Sequence, residues 1–264
     1  RPIDDVIRDI THYEGWNYIQ NKVVMFMDNN LIVNKKYAKE LFRKMKPLKK
    51  WWFSQVSIDM AKDKELMRLA AESGCVAIAV GLESFSQENL KNIGKRQNKI
   101  SDYKKAFKTF HEYGIYAMAT LIIGFDEDTV ESIRKIPDIV QEIGLDYPWL
   151  YVLTPFYGTE LFNQFDRENR IFTKDWSLYN CNNAVFRPKN MSVDELHSSY
   201  LEIWKEMYSF SKVYNRVFRN IPISRFTSFS WRFLDNGHLF FQNLTGRYPL
   251  IGINGNGNTN KGRD

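Results

Sequence analysis

Polar residues close several short apolar segments of this sequence, and such side chains can hold a ligand. Asp28 and Asn29 follow the segment VVMFM, and Asp59 follows QVSI. Glu83 and Ser84 follow AIAVGL. A carboxylate in an apolar pattern needs a partner or a ligand, because an unpaired charge is costly to bury. Ser84 also fits a helix cap, and for Asp59 a ligand contact and a salt bridge are both open.

Two later apolar segments end in the same way. LIIGF is followed by Asp126 and Glu127, and YVLTP ends in Pro155. Gly81 and Gly124 lie inside apolar segments, where a glycine often marks the close approach of a ligand to the backbone. Such a site would offer backbone groups to a flat ring. For Gly81, packing beneath a helix is the alternative.

The thiols and imidazoles of the chain show no metal-ligand pattern. Cys75 starts an apolar segment and fits a small buried residue, whereas Cys181 stands alone in a loop-like segment and fits a free thiol. The histidines, which also lack ligand spacing, are His12, His111, His197 and His238. We therefore assign no metal ligand. Two cysteines exclude a disulfide framework, so a reducing cytoplasm is the expected location.

The elements that must position these residues alternate along the chain. An opening helix, with Val6, Ile7 and Ile10 at helical spacing, is followed by strands predicted at 23–30, 51–59, 75–84, 115–125 and 145–156. Strands that are apolar throughout and each lead into a helix predict an α/β fold with a parallel sheet. In such folds ligands lie at the carboxyl ends of the strands, where the polar residues are. Because the series opens on a helix, we expect its first strand upstream of Arg1.

Helix starts are predicted by three pairs of a capping residue with a glutamine or glutamate three positions later. The pairs are Ser84 with Gln87, Asp128 with Glu131 and Ser192 with Glu195.

The sequence changes character after Asn169. We expect a barrel-like unit over 1–170, a loop and helical extension over 171–250, and a disordered Gly/Asn-rich tail over 251–264. One long amphipathic helix is predicted from Ser192 to Asn220, then a second helix or a hairpin of helices. The segment 216–241 alternates arginines with aromatic residues. It is expected to pack on the barrel and cap its mouth, with contact to a membrane surface as the alternative.

Composition excludes several classes of protein. The 264 residues are 44% hydrophobic and 26% charged, unlike collagen, a coiled coil or a disordered chain. The longest apolar runs have strand length, so no membrane span is predicted. A net charge of +6 tolerates an anionic ligand or surface, and nucleic acid is not expected as a partner.

Several segments together carry a resemblance to a known family. They are MFMDNN at 25–30, IDMAKDKELMRLAAESGC at 58–75, VGLESFSQENLKNIGK at 80–95, YKKAFKTFHEYGI at 103–115, LIIGFDEDT at 121–129, LTPFYGTELF at 153–162, and RIFTKDWSLYN with FRPKNMSVDEL at 170–196. By their order and spacing the chain resembles the radical S-adenosylmethionine (SAM) superfamily, particularly the group with a cobalamin-binding domain ahead of the radical domain.

The resemblance implies a partial TIM-type (β/α)6 barrel, here without its first strand, with SAM across the carboxyl ends of the strands. A [4Fe-4S] cluster and SAM would generate a 5′-deoxyadenosyl radical for methylation or rearrangement of an unknown substrate. Asp28 and Asn29 match a motif, usually Gly-Gly-Glu, that contacts the methionyl amine. Glu83, with Ser84 beside it, matches a strand whose polar residues reach the ribose or the methionyl group.

The adenine side is implied by a later strand. The residues that match its Gly-x-Ile-x-Gly-x-x-Glu motif are Thr120, Ile122, Gly124 and Glu127, with Thr120 in place of the first glycine. Pro155 would close the adenine side through its main chain. No catalytic residue is assigned.

One family feature is absent: the sequence has no Cys-x-x-x-Cys-x-x-Cys loop to bind three irons of the cluster. We expect that the chain is a fragment that begins just after this loop, and that a cobalamin domain, if there is one, lies upstream. A degenerate, non-catalytic binding or partner protein with the same fold is the alternative. The expected partners are a small-molecule or lipid-like substrate and a one-electron reductant such as flavodoxin or ferredoxin.

Overall fold

Five parallel strands form one sheet in the part of the chain that the structure describes. The structure is a computed structural model, and it describes residues 1–13, 15, 17–218 and 226–245. The strands are β1 (Val23–Phe26), β2 (Trp51–Val56), β3 (Cys75–Glu83), β4 (Tyr116–Ile123) and β5 (Tyr147–Val152). They pair in chain order, and every pairing is parallel. The α/β prediction is therefore confirmed, although each strand ends before its predicted last residue.

Helices connect consecutive strands, and others precede β1 or follow β5. They are α1 (Ile3–His12), α2 (Tyr18–Lys22), α3 (Lys35–Met45), α4 (Lys64–Glu72), α5 (Gln87–Asn92), α6 (Ile100–Glu112), α7 (Val130–Arg134), α8 (Ile136–Ile143), α9 (Glu160–Arg167), α10 (Val193–Met207), α11 (Phe210–Val217) and α12 (Phe226–Leu244). Short 3-10 turns lie at Lys46–Leu48, Ile58–Lys62 and Trp176–Leu178.

The two faces of the sheet differ in what covers them. Ile78 and Val80 of β3 belong to the main core, together with Leu66 of α4 and Phe107 of α6. The opposite face carries a smaller cluster in which Ala79 and other small residues lie beside aromatic side chains. Because successive strand residues alternate between faces, this second face lines the inside of the partial barrel.

Two helical segments are each divided in the structure. The segment 129–144 forms α7 and α8, because Pro137 at the start of α8 has no N–H to continue the hydrogen-bond ladder. The helix predicted from Ser192 to Asn220 stops at Met207, and α11 begins after Ser209, whose backbone is extended. The prediction of one long helix was therefore wrong.

The predicted helix starts had mixed outcomes. Ser192 and Glu195 form the expected reciprocal capping box at the start of α10. Ser84 and Asp128 do not cap, because α5 is capped by Ser86 and α7 by Thr129. Asp128 instead holds a turn at the carboxyl end of β4, described below.

Helix α12 lies at the end of the sheet opposite to the one predicted. Asp235 accepts a hydrogen bond from the Tyr116 hydroxyl at 3.1 Å, and Asn236 donates one to the Asp146 carbonyl at 3.2 Å. Tyr116 begins β4, and Asp146 directly precedes β5. The helix thus covers the amino ends of the strands and does not cap the mouth.

Part of the predicted basic aromatic segment and all of the tail 251–264 cannot be compared with the structure. Arg219, Arg225 and residues 251–264 lie outside the described residues, as do the side chains at 226–229 and 231–233. None of the described helices is long and apolar enough to cross a lipid bilayer.

The capping box at α10 provides a test of the C-terminal packing. We expect Ser192→Ala to lower the free energy of unfolding by about 1 kcal/mol, because it leaves a backbone N–H at the helix start without its acceptor. Urea denaturation measures the effect. The control is Ser198→Ala, an exposed serine later in the same helix, which should change stability by less than about 0.5 kcal/mol. Equal losses in both variants would contradict the assignment.

Candidate functional site

A cavity of about 510 Å³ opens at the carboxyl ends of the strands. Four of the predicted site residues line it: Asn29, Glu83, Thr120 and Ile122. Lining residues that the sequence did not single out include Gln55, Lys95, Asn98 and Tyr151. The cavity lies where parallel strands of an α/β fold place a ligand.

Glu83 is the central charged group of this cavity. Its side chain is 14% exposed, and Lys95 donates to its Oε1 at 2.5 Å. The Thr120 hydroxyl donates to Oε2 at 3.0 Å. Thr120, which stands where the resemblance implies a glycine, therefore helps to fix the carboxylate. Lys95 is the last residue of the segment 80–95 that carries part of the resemblance. No sequence signal indicates its role, because a lysine in a loop indicates no more than a solvated charge.

The backbone around Glu83 is adapted to this ion pair. Glu83 itself has a positive φ of 68°, and the pairing of β3 with β4 shifts register between Gly81 and Glu83. A non-glycine residue in this region costs roughly 1–2 kcal/mol. A Cβ at position 81 would lie 2.5 Å from the Glu83 Oε1 and 2.7 Å from the Lys95 Nζ. A larger residue at position 81 would therefore displace the ends of these two flexible side chains.

A second cavity, of about 470 Å³, adjoins the first along β4. Glu83 and Ile122 line both cavities and form the wall between them. The exposed Glu127 and the buried Ser84 line only the second. The Ser84 hydroxyl accepts a hydrogen bond from the Ser86 N–H at 3.0 Å, so it supports the loop before α5.

The turn after β4 is held from inside by a buried carboxylate. Asp128 Oδ2 accepts the N–H groups of Gly124 and Phe125 at 2.9 and 3.0 Å. Asn89 of α5 donates to Asp128 Oδ1 at 2.7 Å and accepts the Glu127 N–H at 3.3 Å. Burial outweighs these hydrogen bonds and raises the pKa of Asp128 to about 6. Gly124, with φ of 96°, adopts the backbone conformation that glycine favours.

The same turn is held from outside by basic residues of the C-terminal segment. Asp126 forms ion pairs with Arg170 at 2.8 Å and with Lys189 at 2.6 Å. Burial opposes ionisation of Asp126, but the hydrogen bonds from these two cations outweigh it and lower the pKa of the carboxyl. The C-terminal segment therefore fixes the position of the strand end.

Four predicted site residues line neither cavity, and one of them is Gly124 in the turn described above. Asp28 is exposed beyond the end of β1, and Pro155 is buried after β5. Asp59 forms an ion pair with Lys35 at 2.8 Å and accepts a hydrogen bond from the Ser57 hydroxyl. Burial opposes ionisation of Asp59, but these contacts outweigh it and lower its pKa. Of the two interpretations of Asp59, the structure contains the salt bridge.

Comparison with known proteins identifies the family. Residues 1–138, more than half of the chain, match the radical SAM superfamily. The chain belongs to the radical SAM superfamily. Residues 159–235 match a domain of unknown function, DUF4070. The family uses SAM and a [4Fe-4S] cluster.

Curated relatives of this radical SAM chain are similar over most of its length. A bacteriochlorophyllide d C-12(1)-methyltransferase of Chlorobaculum tepidum is 29% identical over 211 residues, which are 76% of this chain and 46% of the relative. An anaerobic magnesium-protoporphyrin IX monomethyl ester cyclase of Cereibacter sphaeroides is 24% identical over 75% of this chain and 33% of the relative. The chain thus spans less than half the length of these relatives.

A solved structure shares the fold. The radical SAM methyltransferase TsrM of Kitasatospora setae, solved with cobalamin and a [4Fe-4S] cluster bound, has a TM-score of 0.53 at 16% identity. The match covers 63% of this chain and 31% of that one. The five-stranded parallel sheet is therefore a partial radical SAM barrel of the TIM type.

The residues of this radical SAM chain fit SAM better than they fit the cluster. The cavity at the strand ends offers the carboxylate of Glu83, the ammonium group of Lys95 and backbone groups, and SAM is a zwitterionic nucleoside derivative. The chain has two cysteines, whereas a cluster of this family takes three thiolates. Cys75 is buried at the amino end of β3, and Cys181 lies in the loop after α9. No group of three potential metal ligands occurs in the described ranges.

Cluster binding can be tested directly. We expect anaerobic reconstitution of residues 1–264 with iron and sulfide to give no stoichiometric four-iron absorption band, since two separated thiols cannot hold three irons. Iron and sulfide analysis of the desalted protein measures the outcome. A Cys75→Ser, Cys181→Ser variant is the control and should match the parent chain. Four irons per chain in the parent alone would contradict the assignment.

The raised pKa of Asp128 predicts a pH dependence of stability. The folded chain holds the proton of this carboxyl more tightly than the unfolded chain does. The free energy of unfolding should therefore fall as pH rises from the ordinary pKa of 3.8 to about 6. In Asp128→Asn this part of the slope should disappear. Urea denaturation between pH 4 and 7 measures both proteins.

The control for this titration is Asp166→Asn, an exposed aspartate on α9. It should retain the slope of the parent chain. If Asp128→Asn and Asp166→Asn gave the same pH profile, Asp128 would not be the group that titrates.

Proposed function

We propose that this chain is the SAM-binding part of a radical SAM enzyme that methylates or rearranges a small organic substrate. The observation that carries the proposal is the arrangement of Glu83, Lys95 and Thr120 at the mouth of a cavity of about 510 Å³. The arrangement joins a fixed anion, a cation and a hydroxyl at the place where this fold binds ligands.

The charges of the site are complementary to the amino acid part of SAM. Glu83 would accept hydrogen bonds from an ammonium group, and Lys95 would donate to a carboxylate. Charge-assisted hydrogen bonds of this kind are roughly twice as strong as neutral ones. The Lys95 side chain is 35% exposed, so its ammonium group can leave Glu83 and form an ion pair with a ligand carboxylate instead. Asn29, at the rim of the cavity, would add an amide to the same end.

The adenine would lie against β4 and the turn that follows it. Ile122 supplies an apolar surface, and the backbone at Gly124 and Phe125 is held in place by Asp128. A fixed backbone can form hydrogen bonds with a base at little cost in conformational entropy. The chemistry that SAM supplies when bound in this family is cleavage of a carbon–sulfur bond after one-electron reduction.

The reaction type is proposed from the names of the relatives. One is a methyltransferase that acts on a bacteriochlorophyllide, and another is a cyclase of a magnesium-protoporphyrin ester. We infer methyl transfer or ring formation on a largely apolar small molecule. Cobalamin and a reductant such as flavodoxin or ferredoxin are the proposed further participants.

Calorimetric titration of the full chain with SAM tests the proposal. We expect saturable binding that Glu83→Gln and Lys95→Met each weaken about tenfold, because each removes a charged hydrogen bond to the ligand. Lys91→Met is the matched control, since Lys91 is exposed on α5 and pairs with Glu88 at 3.1 Å. Its affinity for SAM should stay within about twofold of the parent's.

Two results would contradict this proposal. One is the absence of saturable binding up to millimolar SAM by a chain that is shown to be folded by a cooperative thermal unfolding transition. The other is an equal effect of Lys95→Met and Lys91→Met.

A further inference from the structure

A separate cavity lies inside the barrel at the amino ends of the strands. Its volume is about 210 Å³. The residues that line it include Phe53, Tyr116, Met118, Tyr147, Trp149 and Asp235. All five strands contribute, and Asp235 of α12 forms part of the floor.

The lining is suited to an apolar ring. Among the described residues that line the cavity, all except Asp235 are apolar or aromatic. An engineered apolar cavity of about 150 Å³ stays dry and binds benzene, so this larger one has room for a ring-sized molecule. Aromatic walls add favourable edge and face contacts with such a ring.

Asp235 gives the cavity one hydrogen-bonding group. The carboxylate accepts the Tyr116 hydroxyl at 3.1 Å, which leaves it able to accept further donors. It sits beside an apolar lining, where a carboxylate is stabilised by every donor that it gains. A ligand with a hydroxyl or N–H group would satisfy it, whereas a ligand with acceptors alone would not.

The cavity is distinct from the proposed SAM site. Trp149 lines both cavities and stands between them. We call the cavity at the amino ends of the strands the lower cavity and the one at the carboxyl ends the upper cavity. On β4, Tyr116 and Met118 face the lower cavity, and Thr120 and Ile122 face the upper cavity. A ligand in the lower cavity therefore does not need the groups that would hold SAM.

We propose that this cavity is a binding site for an apolar, ring-containing small molecule that donates a hydrogen bond to Asp235. The site goes beyond the proposed function, because it requires neither SAM nor a cluster. Its occupant is held by burial of the ring among aromatic side chains and oriented by one carboxylate.

The probes are 2-naphthol, which has a donor, and 2-methoxynaphthalene, which has none. Calorimetric titration of the full chain should show saturable binding of 2-naphthol and about tenfold weaker binding of 2-methoxynaphthalene, because only the first can donate to Asp235. In Asp235→Leu the two affinities should become equal within about twofold. No saturable binding of 2-naphthol to the parent chain would overturn the proposal.

A filling variant locates the probe. Ala77→Leu adds a larger side chain to the lining of this cavity and should weaken 2-naphthol at least tenfold. Ala61→Leu is the matched control, because Ala61 lines a groove on the outer surface beside α6. Thermal unfolding checks that both variants fold. If Ala77→Leu does not fold, the comparison of the two probes in Asp235→Leu tests the proposal instead. Equal binding by both alanine variants would overturn the proposal.

Competition separates this site from the SAM site. Saturating S-adenosylhomocysteine should leave the affinity for 2-naphthol unchanged within about twofold. Mutual exclusion would place the probe in the upper cavity and would overturn the proposal. A chain that binds 2-naphthol but not SAM would contradict the proposed function alone.

Discussion

The carboxyl edge of the sheet is organised around the space beside Gly81, where a larger residue would displace the ends of two charged side chains. That space is occupied by the ion pair of Glu83 and Lys95, which joins β3 to the loop after α5, while Thr120 joins the same carboxylate to β4. The loop is fastened a second time where Asn98 donates to the Gly81 carbonyl at 2.9 Å. A partly buried ion pair is weak evidence for stability, since apolar residues of similar volume often stabilise a protein as well or better. The cost of the strained backbone at Glu83 is easier to understand if the charges serve a ligand.

In the turn after β4, as at Glu83, buried charges contribute little to stability but fix the position of the backbone. Asp128 binds two backbone N–H groups from inside, although burial makes its charge unfavourable. Arg170 and Lys189 hold Asp126 from outside. The Arg170 guanidinium also lies over the Phe165 ring at 3.9 Å, so its position is fixed by α9 as well as by charge. The segment after β5 thus takes part in shaping the strand end, and loss of its contacts would be felt at the candidate site.

Sequence patterns were sufficient for the order of the elements but insufficient for several contacts. The predicted parallel order of strands, each leading into a helix, is what the structure has, and α3 begins directly after its Asn34 cap. Ser84 and Asp128 were assigned to helix caps because serine and aspartate suit caps and turns equally well. Lys95 was missed because its partner is 12 positions away and the loop between them has no periodicity. At the break between α10 and α11, the Tyr208 hydroxyl donates to the Pro148 carbonyl at 2.6 Å, a tertiary contact that no local pattern reports.

Alternation along the strands gives the inner face two chemically different ends. On β5, Tyr147 and Trp149 line the lower cavity, and Trp149 and Tyr151 line the upper one. On β3, the inward positions pass from Ala77 to Gly81 and then to the charged Glu83. Polar groups are therefore concentrated where helices leave the strand ends open, and apolar groups where α12 covers the sheet. A strand with the opposite order would bury Glu83 beneath α12 without Lys95 and expose the aromatic residues at the mouth, and both changes are unfavourable. The direction of this gradient thus explains why the polar ligand is expected at one end and an apolar one at the other.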